Sequence, residues 1–89
     1  MATIPEIETT DVGEEFVHVR FRDPDEFDEI RTPDWAADVA RSVSAGSEVR
    51  TGRRREEGDW VVQSVLVKKT VGESKAREQA RKIVEKIEG

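Results

Sequence analysis

The sequence predicts a small α+β domain in which helices pack on one face of a three-stranded, mainly antiparallel sheet. Three observations support this class. Residues 15–22 alternate between apolar and polar side chains, the middle of the chain carries two capped helical segments, and an apolar stretch at 60–71 precedes a helical repeat. The length of 89 residues suggests one domain. The predicted order is strand, short helix, helix, strand, strand, helix.

The N-terminal part is predicted to be a tail followed by one strand. Residues 1–14 are mostly polar, and we expect a flexible tail there, although Ile4 and Ile7 could pair at a sheet edge. The single folded domain then comprises residues 15–89. The strand at its start places alternate side chains on two faces, with Val17, Val19 and Phe21 on one and Phe16, His18, Arg20 and Arg22 on the other.

A short helix is predicted at residues 23–30. Asp23 is a good N-cap residue, and Pro24 suits the first helical position. Phe27 and Ile30 are three residues apart, so both would face the core from one side of such a helix.

A longer amphipathic helix is predicted at residues 32–46. Thr32 is its expected cap, Pro33 follows, and Gly46 ends it. Trp35 begins an apolar repeat along this helix, and we expect its side chain to anchor the core.

The C-terminal half reads as a β-hairpin at 47–71 and a closing helix at 73–89. The Glu57-Gly58-Asp59 segment is the turn signal. We expect the apolar second arm to lie in the middle of the sheet, paired with the first strand. The arm at 49–55 would then be an edge that its arginines protect from further pairing. The predicted faces of the second arm are Val61, Val65, Val67 and Val71 on one side and Trp60, Val62 and Leu66 on the other.

The composition indicates an acidic protein that is suited to concentrated salt. Asp and Glu total 20, Lys and Arg total 15, and ten of these bases are Arg. Excess carboxylate with little Lys resembles the proteins of haloarchaea, because high salt screens the repulsion between surface charges. The chain has no cysteine, which excludes disulfides and thiol catalysis, and its first residues contain no apolar leader. We therefore expect a cytoplasmic protein.

The charge is divided unequally along the chain, and this division points to the arginine-rich arm. Residues 1–48 carry a net charge of -9, and residues 49–89 carry +4. A basic half can hold a partner while an acidic half keeps the chain soluble. The candidate binding residues lie mainly in the hairpin and are Arg50, Arg53, Arg54, Arg55 and Trp60, with Arg20 and Lys68 as neighbours. Phe16 or Trp60 could stack on a nucleic-acid base. The alternative is a protected sheet edge with cross-strand ion pairs.

No catalytic or metal site is indicated. His18 is the only histidine, and it has no recognisable nucleophile or acid beside it in the sequence. The acidic segment at 23–29 lacks the glycine turn of a calcium loop. We therefore predict no enzymatic activity, no metal and no cofactor.

Four short motifs resemble small domains of tailed-phage and provirus proteins. They are "VRFRDPDEFDEIRT", "VRTGRRR", "VVQSVLVKK" and "ESKAREQARKI", which together cover about residues 16–84. The chain departs from that pattern in having no Trp before the last helix and a longer middle helix at 33–44. The resemblance implies an accessory or interaction module of a mobile element or a haloarchaeal genome, and it implies no mechanism.

These observations together predict a non-enzymatic interaction module that docks a partner through the hairpin at 50–60. The expected partner is a protein, and nucleic acid is the alternative for the same basic patch. An exposed sheet edge also leaves open a homodimer in addition to a monomer. No membrane association is expected, because no apolar run approaches the length of a membrane span.

Overall fold

The fold is a five-stranded antiparallel sheet with two helices, and the computed structural model describes it for residues 5–54 and 60–89. The α+β class is right, but the predicted three strands and the predicted order are wrong. The strands are β1 (Thr9–Val12), β2 (Phe16–Arg20), β3 (Glu29–Arg31), β4 (Glu48–Arg53) and β5 (Trp60–Lys68), and the helices are α1 (Asp34–Val43) and α2 (Glu73–Glu88). Short 3-10 turns at Pro24–Glu26 and Lys69–Val71 complete the order.

The sheet order is β1-β2-β5-β4-β3. The central position of β5 and its antiparallel pairing with β2 are confirmed. The prediction that the arginine arm is an edge strand is wrong, because β3 pairs with β4 and covers it. β1 pairs with β2 at the opposite edge and lies within residues 1–14, the segment predicted to be a tail. The turn predicted at residues 57–59 lies outside the described residues.

The additional strand β3 arises where a helix was predicted at 23–30. Asp23 does cap, because its side chain accepts a hydrogen bond of 2.9 Å from the backbone N–H of Asp25. The cap starts only a 3-10 turn, and the backbone is extended again at Phe27. Ile30 then pairs with Gly52 across the two strands. Phe27 lies against the same glycine, since a Cβ built on Gly52 would come within 2.4 Å of the Phe27 ring.

Both helices pack on the same face of the sheet. α2 contacts β5 and β2, α1 contacts β4, and the helices contact each other. Small residues let the helices approach closely, because alanines occupy four of their buried positions. The core is formed by Val17, Val19, Phe21, Val49, Val62, Val65 and Val67 from the sheet side and Ala36, Ala40, Ala76, Ala80, Ile83 and Val84 from the helices.

Trp35 is not part of this core, which corrects the predicted anchor. Its side chain is 49% exposed at the start of α1. The predicted cap is wrong as well, since the N-cap position is Pro33 and no side chain caps the helix. Helix formation here rests on the apolar stripe around Ala36 and Ala40, which are fully buried.

A β-bulge in β5 changes which side chains share a face. Arg50 pairs with Ser64, whereas the next residue, Thr51, pairs with Val62, so that Gln63 has no partner on β4. A bulge shifts the alternation of side chains by one residue. Val62 therefore joins Val65 in the core, instead of lying with Leu66 as predicted.

An ion pair holds the end of α2 to the bulged region. Nη1 and Nη2 of Arg22 donate to the Glu88 carboxylate, at 2.9 and 3.0 Å. The backbone N–H of Val62 donates to the same carboxylate at 2.7 Å, and Arg22 donates to the Val62 carbonyl at 2.7 Å. These bonds satisfy the backbone N–H and the carbonyl of Val62.

In the part of the chain that the structure describes, no helix combines the length and the apolar character that a membrane span requires.

Candidate functional site

The face of the sheet opposite the helices is the candidate site. We call it the open face, because both helices pack on the other side. Alternation along each strand and the pairing register assign its side chains. Its main members are Asp11 on β1, Phe16, His18 and Arg20 on β2, Ser64, Leu66 and Lys68 on β5, and Glu48 and Arg50 on β4.

Two arginines flank the middle of the open face. Arg20 and Arg50 are the partners of Ser64 on its two neighbouring strands, and Ser64 is fully buried between them. Arg20 forms an ion pair with Asp11. Arg50 is exposed, and it forms no ion pair with residues 5–54 or 60–89. Arg50 is therefore available to a ligand without the loss of an internal ion pair.

A third cation lies at one end of the open face. Lys68 pairs with Phe16 across the strands, and its Nζ lies 4.8 Å from the centroid of the Phe16 ring. Both side chains are half-buried. This contact holds a positive charge over an aromatic ring at the surface, an arrangement that contributes little stability when it is solvated.

His18 lies between these features. It pairs with Asp11 on β1 and with Leu66 on β5. Its Nε2 is buried and has no hydrogen-bond partner among the described residues. Burial lowers the pKa of His18 below 6.5, and the charges of Arg20 and Arg50 lower the pKa further, against a smaller opposing effect of Asp11. The imidazole is therefore harder to protonate than an ordinary histidine side chain.

Two of the predicted site residues lie on the other face of the sheet. Arg53 pairs with Trp60, and its guanidinium is 5.0 Å from the centroid of that ring. Arg53 also forms an ion pair of 3.0 Å with Glu29, and Arg31 approaches the same ring at 5.7 Å. These contacts occupy Arg53 and Trp60 within the fold, so neither belongs to a surface shared with Arg50.

Arg54 lies just beyond the end of β4. Its Nη2 forms an ion pair of 3.0 Å with Glu26, and its guanidinium is 5.8 Å from the centroid of the Phe27 ring. These contacts attach it to the 3-10 turn before β3. Arg55 lies outside the described residues.

The structure thus divides the predicted hairpin site. Arg20, Arg50 and Lys68 share the open face, whereas Arg53 and Trp60 lie on the helix side. Arg50 and Arg53 are three residues apart on one strand, so the alternation of side chains already places them on opposite faces of the sheet. Phe16, His18 and Arg20 were predicted to share one face of a strand, and they do so on the open face. Sequence reasoning did not find that Asp11 and Ser64 lie beside them, because only the pairing register brings residues of different strands together.

Within residues 5–54 and 60–89, no cluster of three or more His, Asp or Glu side chains is arranged to hold a metal ion.

Comparison with protein-family models, with curated proteins and with solved structures found no match to this chain.

Proposed function

We propose that the protein is a non-enzymatic interaction module that docks an anionic partner on the open face of its sheet. The observation that carries this proposal is the grouping of Arg20, Arg50 and Lys68 on the face opposite the helices. Arg50 is exposed and unpaired within the described residues. An anion could therefore pair with the Arg50 guanidinium without displacing a carboxylate of the protein.

The charge of the open face supports an anionic partner. Its strand residues include three cations, against the two carboxylates Asp11 and Glu48, so this face carries a net +1. The whole chain carries -5. The remainder of the molecule repels an anion, and this repulsion would direct the partner toward the open face.

The environment of the protein belongs to the same proposal. An acidic, cysteine-free chain with more Arg than Lys suits the cytoplasm of a halophile. An accessory role there agrees with the resemblance to provirus domains. Both an acidic protein segment and a nucleic acid meet the requirement for negative charge.

Heparin, a polyanion without aromatic groups, tests the proposal. We expect the wild-type protein to bind heparin in 50 mM KCl and Arg50→Glu to bind it at least several-fold more weakly, because a contact becomes a repulsion. Arg81→Glu is the matched control, since it makes the same charge change on an exposed position of α2. Equal weakening by both variants, or no binding by the wild type, would show that the open face is not the docking surface.

A further inference from the structure

The open face presents rings as well as cations, and this combination indicates the class of anion. Phe16, His18 and Arg20 are successive open-face positions of β2, at a spacing of about 6.6 Å along the strand. Lys68 and Leu66 lie beside the two rings on β5. A ligand that follows β2 would therefore meet two flat groups and then a guanidinium.

We propose that this anionic partner is single-stranded nucleic acid, with bases stacked on Phe16 and His18 and phosphates bound by Arg20, Arg50 and Lys68. The inference rests on the proposed function and names its ligand. Single-stranded nucleic acids are bound by grooves or sheet surfaces that combine positive charge with aromatic platforms.

The contacts that now occupy these residues are of the kind that a ligand can replace. Lys68 covers Phe16 in a solvated cation–π contact, which is weaker than base stacking on an aromatic ring. A base that displaces Lys68 frees its ammonium for a neighbouring phosphate. The ion pair of Arg20 with Asp11 is also exposed, with side-chain exposures of 36% and 61%, so it contributes little stability.

His18 supplies an additional flat group at the centre. Its Nε2 lacks a partner among the described residues. Asp11 lies beside it on β1, Arg20 on β2, Leu66 on β5 and, one strand further, Glu48 and Arg50 on β4. A phosphate between the two arginines would offset their effect on the imidazole, so binding should make His18 easier to protonate.

The shape of the surface favours a single strand over a duplex. Base readout in a duplex needs a helix or ribbon that enters a groove. Here the side chains of β2, β5 and β4 form a nearly flat surface that is about 10 Å wide across the three strands. An acidic peptide would use the cations but would leave the rings without stacking partners.

The test measures the binding of fluorescein-labelled dT10 and rU10 by anisotropy at 50 and 200 mM KCl, with a hairpin duplex and poly-L-glutamate as comparison ligands. We expect tighter binding of dT10 or rU10 than of the other two. Phe16→Leu, which keeps an apolar side chain, should weaken it by about 5- to 150-fold. Arg50→Ala should lower the salt slope by about one, and Arg81→Ala should change neither quantity.

A second measurement follows His18 by NMR in the same protein. Binding of dT10 should move the ring signals of His18 and raise the pH at which they titrate. The thermal unfolding of Phe16→Leu, followed by circular dichroism, establishes that the variant is folded.

The outcomes separate this inference from the proposed function. If heparin binding depends on Arg50 but dT10 and rU10 bind no better than poly-L-glutamate, the nucleic-acid proposal is wrong, whereas the docking of an anionic partner on the open face stands. If the oligonucleotides bind but neither Phe16→Leu nor Arg50→Ala weakens them, they bind elsewhere and the nucleic-acid proposal is wrong; the proposed function fails as well only if heparin binding is also unchanged by Arg50→Glu.

Discussion

The contact between Phe27 and Gly52 gives a prediction with a definite sign. A Cβ at position 52 would lie 2.4, 2.6 and 2.7 Å from three atoms of the Phe27 ring. Real Cβ atoms do not approach side-chain atoms so closely, so the ring must move. Gly52 has no positive φ, and its backbone conformation is open to alanine. The cost of Gly52→Ala therefore comes from the ring alone.

The expected size of this effect follows from two opposing terms. Alanine in place of a strand glycine normally stabilises a fold by roughly 0.5–1 kcal/mol, because the unfolded chain loses conformational freedom. Overpacking costs about 1–3 kcal/mol. Three ring atoms closer than 3.0 Å place the clash in the upper part of that range, so we expect Gly52→Ala to destabilise by about 1–2.5 kcal/mol, which lowers the melting temperature by roughly 4–20 °C in a domain of this size.

Urea denaturation of a double-mutant cycle measures this contact. Phe27→Ala alone should destabilise the fold, and the double variant Phe27→Ala/Gly52→Ala should be more stable than the sum of the single changes predicts, because the clash has gone. A Gly52→Ala protein that is as stable as the wild type would refute the contact. Additive changes would show that the two residues do not touch.

Three further predictions concern stability. Glu88→Ala should lower the free energy of unfolding by about 1–3 kcal/mol in urea titrations, because the Arg22 guanidinium and the Val62 N–H lose their shared acceptor. Glu85→Ala, a change at an exposed position of the same helix, should have less effect. Equal effects of the two substitutions would contradict the role of the contact. The lowered pKa of His18 means that the unfolded chain takes up its proton first, so stability should fall as the pH drops below 6.5. His18→Gln should remove that part of the pH dependence, and identical pH profiles would show that His18 does not cause it. Finally, raising KCl from 0.1 to 2 M should raise the melting temperature, because the net charge of -5 is screened, and an unchanged or lower value would count against a protein adapted to salt.

Several elements could be predicted because their signals are local. The alternation of apolar and polar residues at 17–22 predicts β2, and apolar repeats of three and four residues predict α1 and α2. The central place of β5 follows from its apolar composition. These patterns need no knowledge of the rest of the chain.

β3 and β1 were missed because their signals are not local. Phe27 and Ile30 have helical spacing, yet both lie against Gly52 from an extended segment. Asp23 can cap a single 3-10 turn as well as an α-helix, so its presence does not predict a helix. β1 contains only one large apolar residue, and it forms a strand because β2 offers it a free edge. In both cases the pairing partner supplies the stabilisation.

The sequence by itself determined the α+β class, the two main helices, the central strand and an acidic chain with a basic C-terminal half. Only the tertiary structure decided which cations share a face of the sheet. One residue without a partner on β4, Gln63, reverses the alternation within β5 and directs Trp60 to the helix side, where it meets Arg53. The register between β2, β5 and β4 brings Arg20 and Arg50, 30 positions apart in the chain, to either side of Ser64. A bulge and a register depend on how several strands satisfy their backbone hydrogen bonds together, and no single segment encodes that result.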